Sequence, residues 1–142
     1  MKISTRGEYA LRALIILGQE PARVMTISDL ADKTLVPTSY LEHILLQLKH
    51  LGYVVSRRGS RGGYRINRPP DQIVIGEIIR QLEGPLAPMG CVSVTAYESC
   101  ELESMCLLRP LWMSIRETVA NLLEKTTLED LLRGKVPQAA KG

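Results

Sequence analysis

The stretch that decides the fold runs from Thr26 to Arg68 and begins Thr26-Ile-Ser-Asp-Leu-Ala-Asp-Lys-Thr-Leu-Val-Pro-Thr-Ser-Tyr-Leu-Glu-His43. Thr26-Ile-Ser-Asp29 has the residue order of a capping box, which predicts that a short helix begins there. Leu35-Val-Pro37 predicts a turn, because proline does not continue a helix. A second helix is expected from Ser39, which would cap it, to about Leu51.

This second helix has one apolar face and one polar face. Its apolar residues recur every three or four positions, and Gly52 is placed to end the helix. The apolar residues are Leu41, Ile44, Leu45, Leu48 and Leu51. Two short helices joined by a tight turn predict a helix-turn-helix.

Two short strand-like runs follow, Tyr53–Ser56 and Tyr64–Asn67, separated by Arg57-Arg-Gly-Ser-Arg-Gly-Gly63. Glycine lets a backbone turn tightly and approach a phosphate, and arginine supplies charge and a planar fork of donors. A solvated hairpin is the plainer interpretation of this tip. Next to a helix-turn-helix, it instead predicts the basic wing of a winged helix-turn-helix DNA-binding module.

The remaining residues predict further helices. A first helix is expected from Thr5, where Thr5-Arg-Gly-Glu8 fits a capping box, and another from about Val74 to Leu82. A long helix should run from Pro110 to about Lys125, with Leu111, Ile115, Val119 and Leu122 as its apolar stripe. Thr127-Leu-Glu-Asp130 would cap a short final helix.

The predicted fold is therefore mainly α with a small β-hairpin. Residues 1–83 form the winged domain, 84–106 a cysteine-containing loop, 107–133 a dimerisation helix and short final helix, and 134–142 a flexible tail. The winged domain is too small to cover the long helix, so we expect that helix to pair with a second copy. Such a homodimer would suit a pseudo-palindromic operator in double-stranded DNA.

Charge is distributed unevenly along the 142 residues. Residues 1–68 carry 11 Lys and Arg against 5 Asp and Glu, whereas residues 69–142 carry 7 against 10. The basic first half suits a polyanionic partner, although a solvated surface explains the same charges. The first residues lack the apolar run of a signal peptide, and no segment approaches the ~20 apolar residues of a membrane span. We therefore expect a cytoplasmic protein without a membrane partner.

An enzyme is disfavoured by the residues that catalysis needs. The sequence has no recognisable nucleophile with an adjacent base, no phosphate-binding loop and no paired-carboxylate site. Both histidines, His43 and His50, lie on the helix assigned to DNA.

The cysteine loop holds Cys91, Cys100 and Cys106, with eight and then five residues between them. A zinc site would normally show a Cys-x-x-Cys pair and a fourth ligand, which are missing. Three thiolates on a loop containing glycine and proline instead suit an iron–sulfur cluster, which tolerates irregular spacing. Three unconnected reduced cysteines are the alternative.

The chain resembles the IscR-type family of iron–sulfur and nitric-oxide-responsive winged-helix repressors over residues 1–133. The resemblance rests on several motifs in the same order, including three cysteines before a long helix. These motifs are Met1-Lys-Ile-Ser-Thr-Arg-Gly-Glu-Tyr-Ala10, Ser39-Tyr-Leu-Glu42, Arg58-Gly-Ser-Arg-Gly-Gly-Tyr64 and Ile75-Gly-Glu-Ile78.

The resemblance implies a homodimer whose subunits each hold a cluster, [2Fe–2S] in preference to [4Fe–4S], on Cys91, Cys100 and Cys106. Some members carry a histidine ligand three positions after the last cysteine, where this chain has Arg109, and guanidinium cannot bind iron. Others use an acidic residue from the partner's first helix, and the matching position is Glu8. Glu8 as a ligand competes with Glu8 as part of the capping box.

The resemblance also implies which residues contact DNA. Ser39, Tyr40, Glu42 and His43 match the family's base-reading positions, and Glu42 could accept a hydrogen bond from cytosine. A helix-capping role is the alternative for Glu42. Arg57, Arg58 and Arg61 would hold phosphates or enter the minor groove.

A second class of regulator fits the same fold. It would use the three cysteines as a thiol redox switch without metal, or respond to cysteine metabolism. The colour of anaerobically purified protein distinguishes the two, because a cluster is brown.

Overall fold

A computed structural model describes residues 2–137 and confirms the predicted class, mainly helical with one two-stranded antiparallel hairpin. Single turns of 3₁₀-helix lie at Pro70–Gln72, Gly90–Val92 and Glu103–Met105. The helices and strands are α1 (Thr5–Gln19), α2 (Ile27–Thr34), α3 (Thr38–His50), β1 (Val54–Arg57), β2 (Gly63–Ile66), α4 (Ile75–Glu83), α5 (Arg109–Lys125) and α6 (Leu128–Leu132).

The predicted capping box at the start of α1 is wrong, because Ser4 is the cap. Ser4 has extended backbone, and its hydroxyl accepts a hydrogen bond of 3.1 Å from the Gly7 amide. The carboxylate of Glu83 accepts hydrogen bonds from both the amide and the hydroxyl of Ser4, at 3.0 and 2.6 Å. Glu8 is therefore free of the cap and pairs with Arg12 instead, at 2.7 Å.

The α2–turn–α3 unit forms as predicted, with one difference at the start of α3. Thr26 caps α2 by accepting from the Asp29 amide at 3.1 Å, and Leu35 turns the chain in the left-handed conformation at φ 59°. The cap predicted at Ser39 is wrong, since α3 begins at Thr38 after Pro37 and has no side-chain cap. The fixed φ of Pro37 sets the direction in which the chain enters the helix. Ser39 lies in the first turn and is exposed.

The hairpin lies one residue nearer its tip than predicted in each strand. Val54 pairs with Ile66 and Arg57 with Gly63. The backbone of Tyr64 also exchanges two hydrogen bonds of 2.8 Å with Met25, which joins the hairpin to the segment before α2. A Cβ at Gly63 would lie 2.1 Å from the Met25 carbonyl oxygen, so this junction requires glycine.

One aliphatic core unites the winged part of the chain with α4 and α6. Its fully buried side chains include Leu14, Leu17, Leu30, Leu41, Leu45, Leu48, Tyr53, Ile78 and Leu128. Helix α4 meets α5 closely at Gly76, where a Cβ would lie 2.9 Å from the Leu123 carbonyl carbon. α6 begins with the predicted capping box, in which Thr127 and Asp130 bond reciprocally.

Helix α5 differs from the others because none of its residues is buried. The predicted stripe is partly open to solvent, with Leu111 52% and Ile115 37% exposed. The helix begins at Arg109, with Pro110 in its first turn as predicted.

The cysteine loop, residues 84–106, has local hydrogen bonds of its own. The Gly90 carbonyl oxygen accepts from the amides of Ser93 and Glu98, and the Ser93 hydroxyl accepts from Ala96. Of the predicted tail, residues 138–142 lie outside the described residues. Among the described helices, none is both long enough and apolar enough to cross a membrane.

Candidate DNA interface and cysteine loop

The start of α3 presents a polar surface to solvent. Ser39, Tyr40, Glu42 and His43 are exposed, whereas Leu41 and Ile44 between them are buried. The capping alternative for Glu42 is wrong, because no side chain caps α3. All four candidate base-reading side chains therefore lie on one accessible surface.

Tyr40 packs against α1. Its ring meets the ring of Tyr9 edge to face, with centroids 5.5 Å apart and planes at 88°. The Arg12 guanidinium lies 5.2 Å from the Tyr9 centroid, donates to the Thr34 carbonyl oxygen and pairs with Glu8. Sequence reasoning missed this contact series, because residues on separate helices meet only after folding.

The wing, β1 and β2 with residues 58–62 between them, carries three exposed arginines. Arg57, Arg58 and Arg61 form no salt bridge with any acidic residue between positions 2 and 137. The wing and the start of α2 enclose an open cleft of about 390 Å³, with Thr26, Arg57 and Arg58 in its lining. Unpaired guanidinium groups beside a cleft can bind phosphate.

Tyr53 fixes the wing to α4. Its side chain is fully buried, and its hydroxyl donates to the Gln81 side-chain oxygen at 2.7 Å. The Arg68 guanidinium lies 4.6 Å from the Tyr53 centroid and 3.7 Å from the Glu77 carboxylate. Burial, and then the negative charge of Glu77, raise the pKa of the Tyr53 hydroxyl.

The three cysteines are free thiols in different settings. Cys91, within the first 3₁₀ turn of the loop, and Cys106, just after the second, are partly buried, and Cys100 is exposed. Within residues 2–137, no three His, Cys, Asp or Glu side chains lie close enough together to hold a metal ion. The predicted ligands Cys91, Cys100, Cys106 and Glu8 therefore do not form a ready-made site within one chain.

Arg109 lies beside the cysteine loop. It donates to the Cys91 carbonyl oxygen at 3.4 Å, and its Nε is 3.4 Å from the Glu103 carboxylate. Glu103 also accepts a hydrogen bond from Tyr97, which raises the pKa of the Tyr97 hydroxyl. Because guanidinium is cationic and has no lone pair for iron, Arg109 cannot itself serve as a fourth ligand to a cluster.

Comparison with known sequences gives one family over almost the whole chain. The model of the Rrf2 family, described as an iron-dependent transcriptional regulator, matches residues 3–134. A putative rrf2-like HTH-type regulator of Rhodobacter capsulatus is 36% identical in an alignment 144 positions long, which covers 96% of each chain. The HTH-type regulator CymR of Bacillus subtilis is 39% identical over 132 residues, 92% of this chain and 89% of CymR.

Solved structures agree with these relatives. CymR, the global cysteine regulator of B. subtilis, has a TM-score of 0.79 at 36% identity, covering 95% of this chain and 98% of CymR. The oxidised form of Staphylococcus aureus CymR has a TM-score of 0.73 at 33% identity, covering 93% and 96%. IscR of T. potens has a TM-score of 0.73 at 28% identity, covering 100% and 94%.

These matches revise the predicted resemblance. The chain shares more sequence with the cysteine regulator CymR than with T. potens IscR. The matches therefore support membership of the broader family, and they give no preference to its iron–sulfur members. The named relatives are transcriptional regulators and not enzymes.

Proposed function

Because the chain belongs to the Rrf2 family of transcriptional regulators, we propose that it is a homodimeric repressor whose operator binding is set by its cysteine thiols. In this proposal residues 1–83 read DNA, 84–106 form the control loop and 107–133 join the two copies. The observation that carries the proposal is the exposed polar start of α3 beside a wing with three unpaired arginines.

DNA reading divides between α3 and the wing. The exposed side chains Ser39, Tyr40, Glu42 and His43 have donors and acceptors that suit base edges in the major groove. The wing contributes positive charge from Arg57, Arg58 and Arg61. This charge suits contacts to phosphates or to a narrow minor groove, which do not read individual bases. The backbone hydrogen bonds between Tyr64 and Met25 join the wing to the segment before α2, which limits how far the wing can move relative to the α2–turn–α3 unit.

Helix α5 supports the proposed dimer. It has 17 residues, none of them buried, and Leu107 before it is 94% exposed. A patch formed by Leu107, Leu108, Leu111 and Ile115 is costly to leave in water, and a second copy would cover it by two-fold symmetry. Two α3 helices could then enter successive major grooves.

Control by thiols without a cluster is favoured over control by a cluster. The free thiols lie on the loop that joins α4 to α5, so a change in their state can alter the geometry of the dimer helix. Two similar proteins support this choice over nearly the whole chain: CymR of B. subtilis is a global cysteine regulator, and CymR of S. aureus has an oxidised form.

An iron–sulfur protein is the second candidate, and two observations favour it. Three cysteines lie within sixteen residues, and T. potens IscR has the same fold. The ligands would be Cys91, Cys100 and Cys106, with Glu8 of a partner subunit as the fourth. Since the described residues do not gather these side chains, the loop would have to rearrange to bind a cluster.

The test compares protein purified without oxygen with a Cys91→Ser, Cys100→Ser, Cys106→Ser variant. The expected result is colourless, iron-free protein that binds operator DNA when reduced and loses affinity under peroxide. The triple variant should bind DNA but ignore peroxide. Brown protein with matching iron and sulfide would instead establish the cluster, and failure to bind any DNA would reject the regulator.

A further inference from the structure

We infer that Tyr9 is a positioning residue for DNA reading, because its ring supports the ring of Tyr40. The inference rests on the proposed function, in which Tyr40 at the start of α3 contacts base edges. Tyr9 itself lies on α1 and is partly buried against the core, so it is not one of the candidate contact residues. Its role is to give Tyr40 one defined orientation before DNA binds.

The start of the helix that carries Tyr40 has no side-chain cap. Helix α3 follows Pro37 directly, and Ser39 and Glu42 on either side of Tyr40 are exposed. Tyr40 is 41% exposed, so one part of its side chain is covered and another part is accessible. An exposed side chain samples several rotamers, and fixing one of them on binding costs free energy.

The Tyr9 ring covers Tyr40 from the α1 side. The two rings meet edge to face, with centroids 5.5 Å apart and planes at 88°. Aromatic pairs favour this arrangement, and its energy depends on the relative orientation of the two rings. The contact therefore restricts the orientation of the Tyr40 ring as well as covering it.

Arg12 joins Tyr9 to the turn before α3. Its guanidinium lies 5.2 Å from the Tyr9 centroid, which allows a cation–π contact. Nη1 of the same group donates to the Thr34 carbonyl oxygen at 3.3 Å, and Nη2 donates to the Glu8 carboxylate at 2.7 Å. Thr34 is the last residue of α2, where carbonyl oxygens lack partners within the helix. One planar group thus fixes a ring on α1 and the end of α2 relative to each other.

Support of Tyr40 should affect sequence preference more than general affinity for DNA. In the proposed function the phosphate contacts come from the wing, whereas Tyr9 and Arg12 lie on α1. A base contact requires a defined orientation of the side chain, and a phosphate contact carries no sequence information. Loss of the Tyr9 ring should therefore lower the ratio of the affinity for operator DNA to the affinity for unrelated DNA.

The test measures this ratio by fluorescence anisotropy. The wild-type protein first selects its operator from random double-stranded DNA, and a duplex of unrelated sequence is the reference. Tyr9→Leu removes the ring and keeps an apolar side chain toward the core, so it should lower the ratio about fivefold, as expected for the loss of one aromatic pair. Tyr9→Phe keeps the ring and should retain the wild-type ratio.

Arg12→Met is a second variant, at a side chain that is 42% exposed. It removes the cation over the Tyr9 ring and should lower the ratio about threefold. Arg23→Met is the matched control, since Arg23 pairs with Glu20 at the other end of α1 and its side chain is 48% exposed. It removes the same charge and should retain the ratio. If Tyr9→Leu does not fold, Arg12→Met decides the question alone.

A Tyr40→Ala background isolates the contact between the rings. Tyr9→Leu should have no further effect on the ratio there, because the ring that Tyr9 supports is gone. An equal fall with and without Tyr40, or an unchanged ratio in the Tyr9→Leu and Arg12→Met variants, would overturn the inference. Equal losses of affinity for operator and unrelated DNA would also overturn it, because they would show that Tyr9 supports only the fold.

The same titrations separate this inference from the proposed function. If the wild-type protein selects no sequence, both are rejected. If it selects an operator and Tyr9→Leu leaves the ratio unchanged, the regulator stands and the role of Tyr9 is rejected.

Discussion

Tyr53 shows how one side chain can fix the wing. It is fully buried immediately before β1, and its hydroxyl donates a hydrogen bond to Gln81 on α4. The guanidinium group of Arg68, which follows β2, lies over its ring. The position of the wing relative to α4 therefore depends on contacts between residues distant in sequence.

Replacing Tyr53 with phenylalanine should lower the free energy of unfolding by about 1 kcal/mol, because one hydrogen bond is lost while the ring remains. The change should also alter the response to alkaline pH. Burial and Glu77 raise the pKa of Tyr53 above its unfolded value of about 10, so the folded state keeps a proton that the unfolded state releases. This stabilisation is complete below pH ~10 and is lost as the pH rises further.

Urea denaturation of both proteins between pH 8 and pH 11.5 measures this effect. The wild-type protein should lose stability above pH 10 more steeply than Tyr53→Phe. Parallel curves would show that Tyr53 does not contribute to the alkaline transition.

Arg61 and Glu42 should affect DNA binding in different ways. Arg61→Ala should weaken binding to all sequences and reduce the salt slope by about one, because a phosphate contact is lost. Glu42→Ala should instead relax preference at one base pair, by about 1–3 kcal/mol. Binding titrations with operator variants separate the two, and Arg133→Ala on α6 is the control.

If the Arg61 and Glu42 variants bound every operator variant as tightly as the wild-type protein does, this surface would not be the one that contacts DNA.

At the scale of elements, helix starts show the limits of pattern reading. Residue order predicted caps at Thr5 and Ser39, whereas Ser4 caps α1 and α3 begins after Pro37 without a side-chain cap. Ser4 is selected because Glu83, 79 positions away, binds both its amide and its hydroxyl. The caps at Thr26 and Thr127 were predicted correctly, because each accepts a hydrogen bond from the amide three positions on. At Thr127 the reciprocal bond of the capping box, with Asp130, forms as well.

Helix α5 provides the prediction at this scale. Changing Leu111 and Ile115 together to lysine should produce a monomer, since charges cannot be buried unpaired in an apolar interface. Both side chains are already exposed within one chain, so the monomer should keep its helical content. Light scattering gives the mass and circular dichroism gives the helix content.

A double Leu111 and Ile115 variant that remains dimeric would place the subunit interface elsewhere. A loss of helix content would mean that the stripe supports the fold of the single chain.

At the scale of the whole molecule, the feature that bears most on DNA binding is the difference in charge between the two halves of the chain. Residues 1–68 carry a balance of +6 and residues 69–142 a balance of −3, so attraction to DNA is concentrated at one end of the sequence. The wing arginines are exposed and free of described acidic partners. The proposed dimer would present two such wings.

Operator affinity should therefore fall about a thousandfold between 50 and 200 mM salt, as expected for roughly six phosphate contacts. Fluorescence anisotropy at several salt concentrations measures the slope. A slope near zero would contradict phosphate binding by the wings. The triple variant Arg57→Ala, Arg58→Ala, Arg61→Ala should show a much shallower slope than the wild-type protein.

The sequence by itself determined the order of helices and hairpin, the helix-turn-helix and the candidate contact residues of α3 and the wing. These features follow from local spacing, from capping residues and from proline and glycine at turns, which act within a few positions of the chain. The composition of the cysteine loop was visible too, but the arrangement of its thiols was not.

Only the tertiary structure decided that Glu83 holds the start of α1, that Tyr53 joins the wing to α4, and that Arg109 lies beside Cys91. It also brought Arg80 and Glu124 together across a cavity, 44 positions apart in sequence. The physical reason is common to all four. Each depends on side chains from separate elements meeting at a distance of a few ångströms, which the packing of the core sets and residue spacing does not encode.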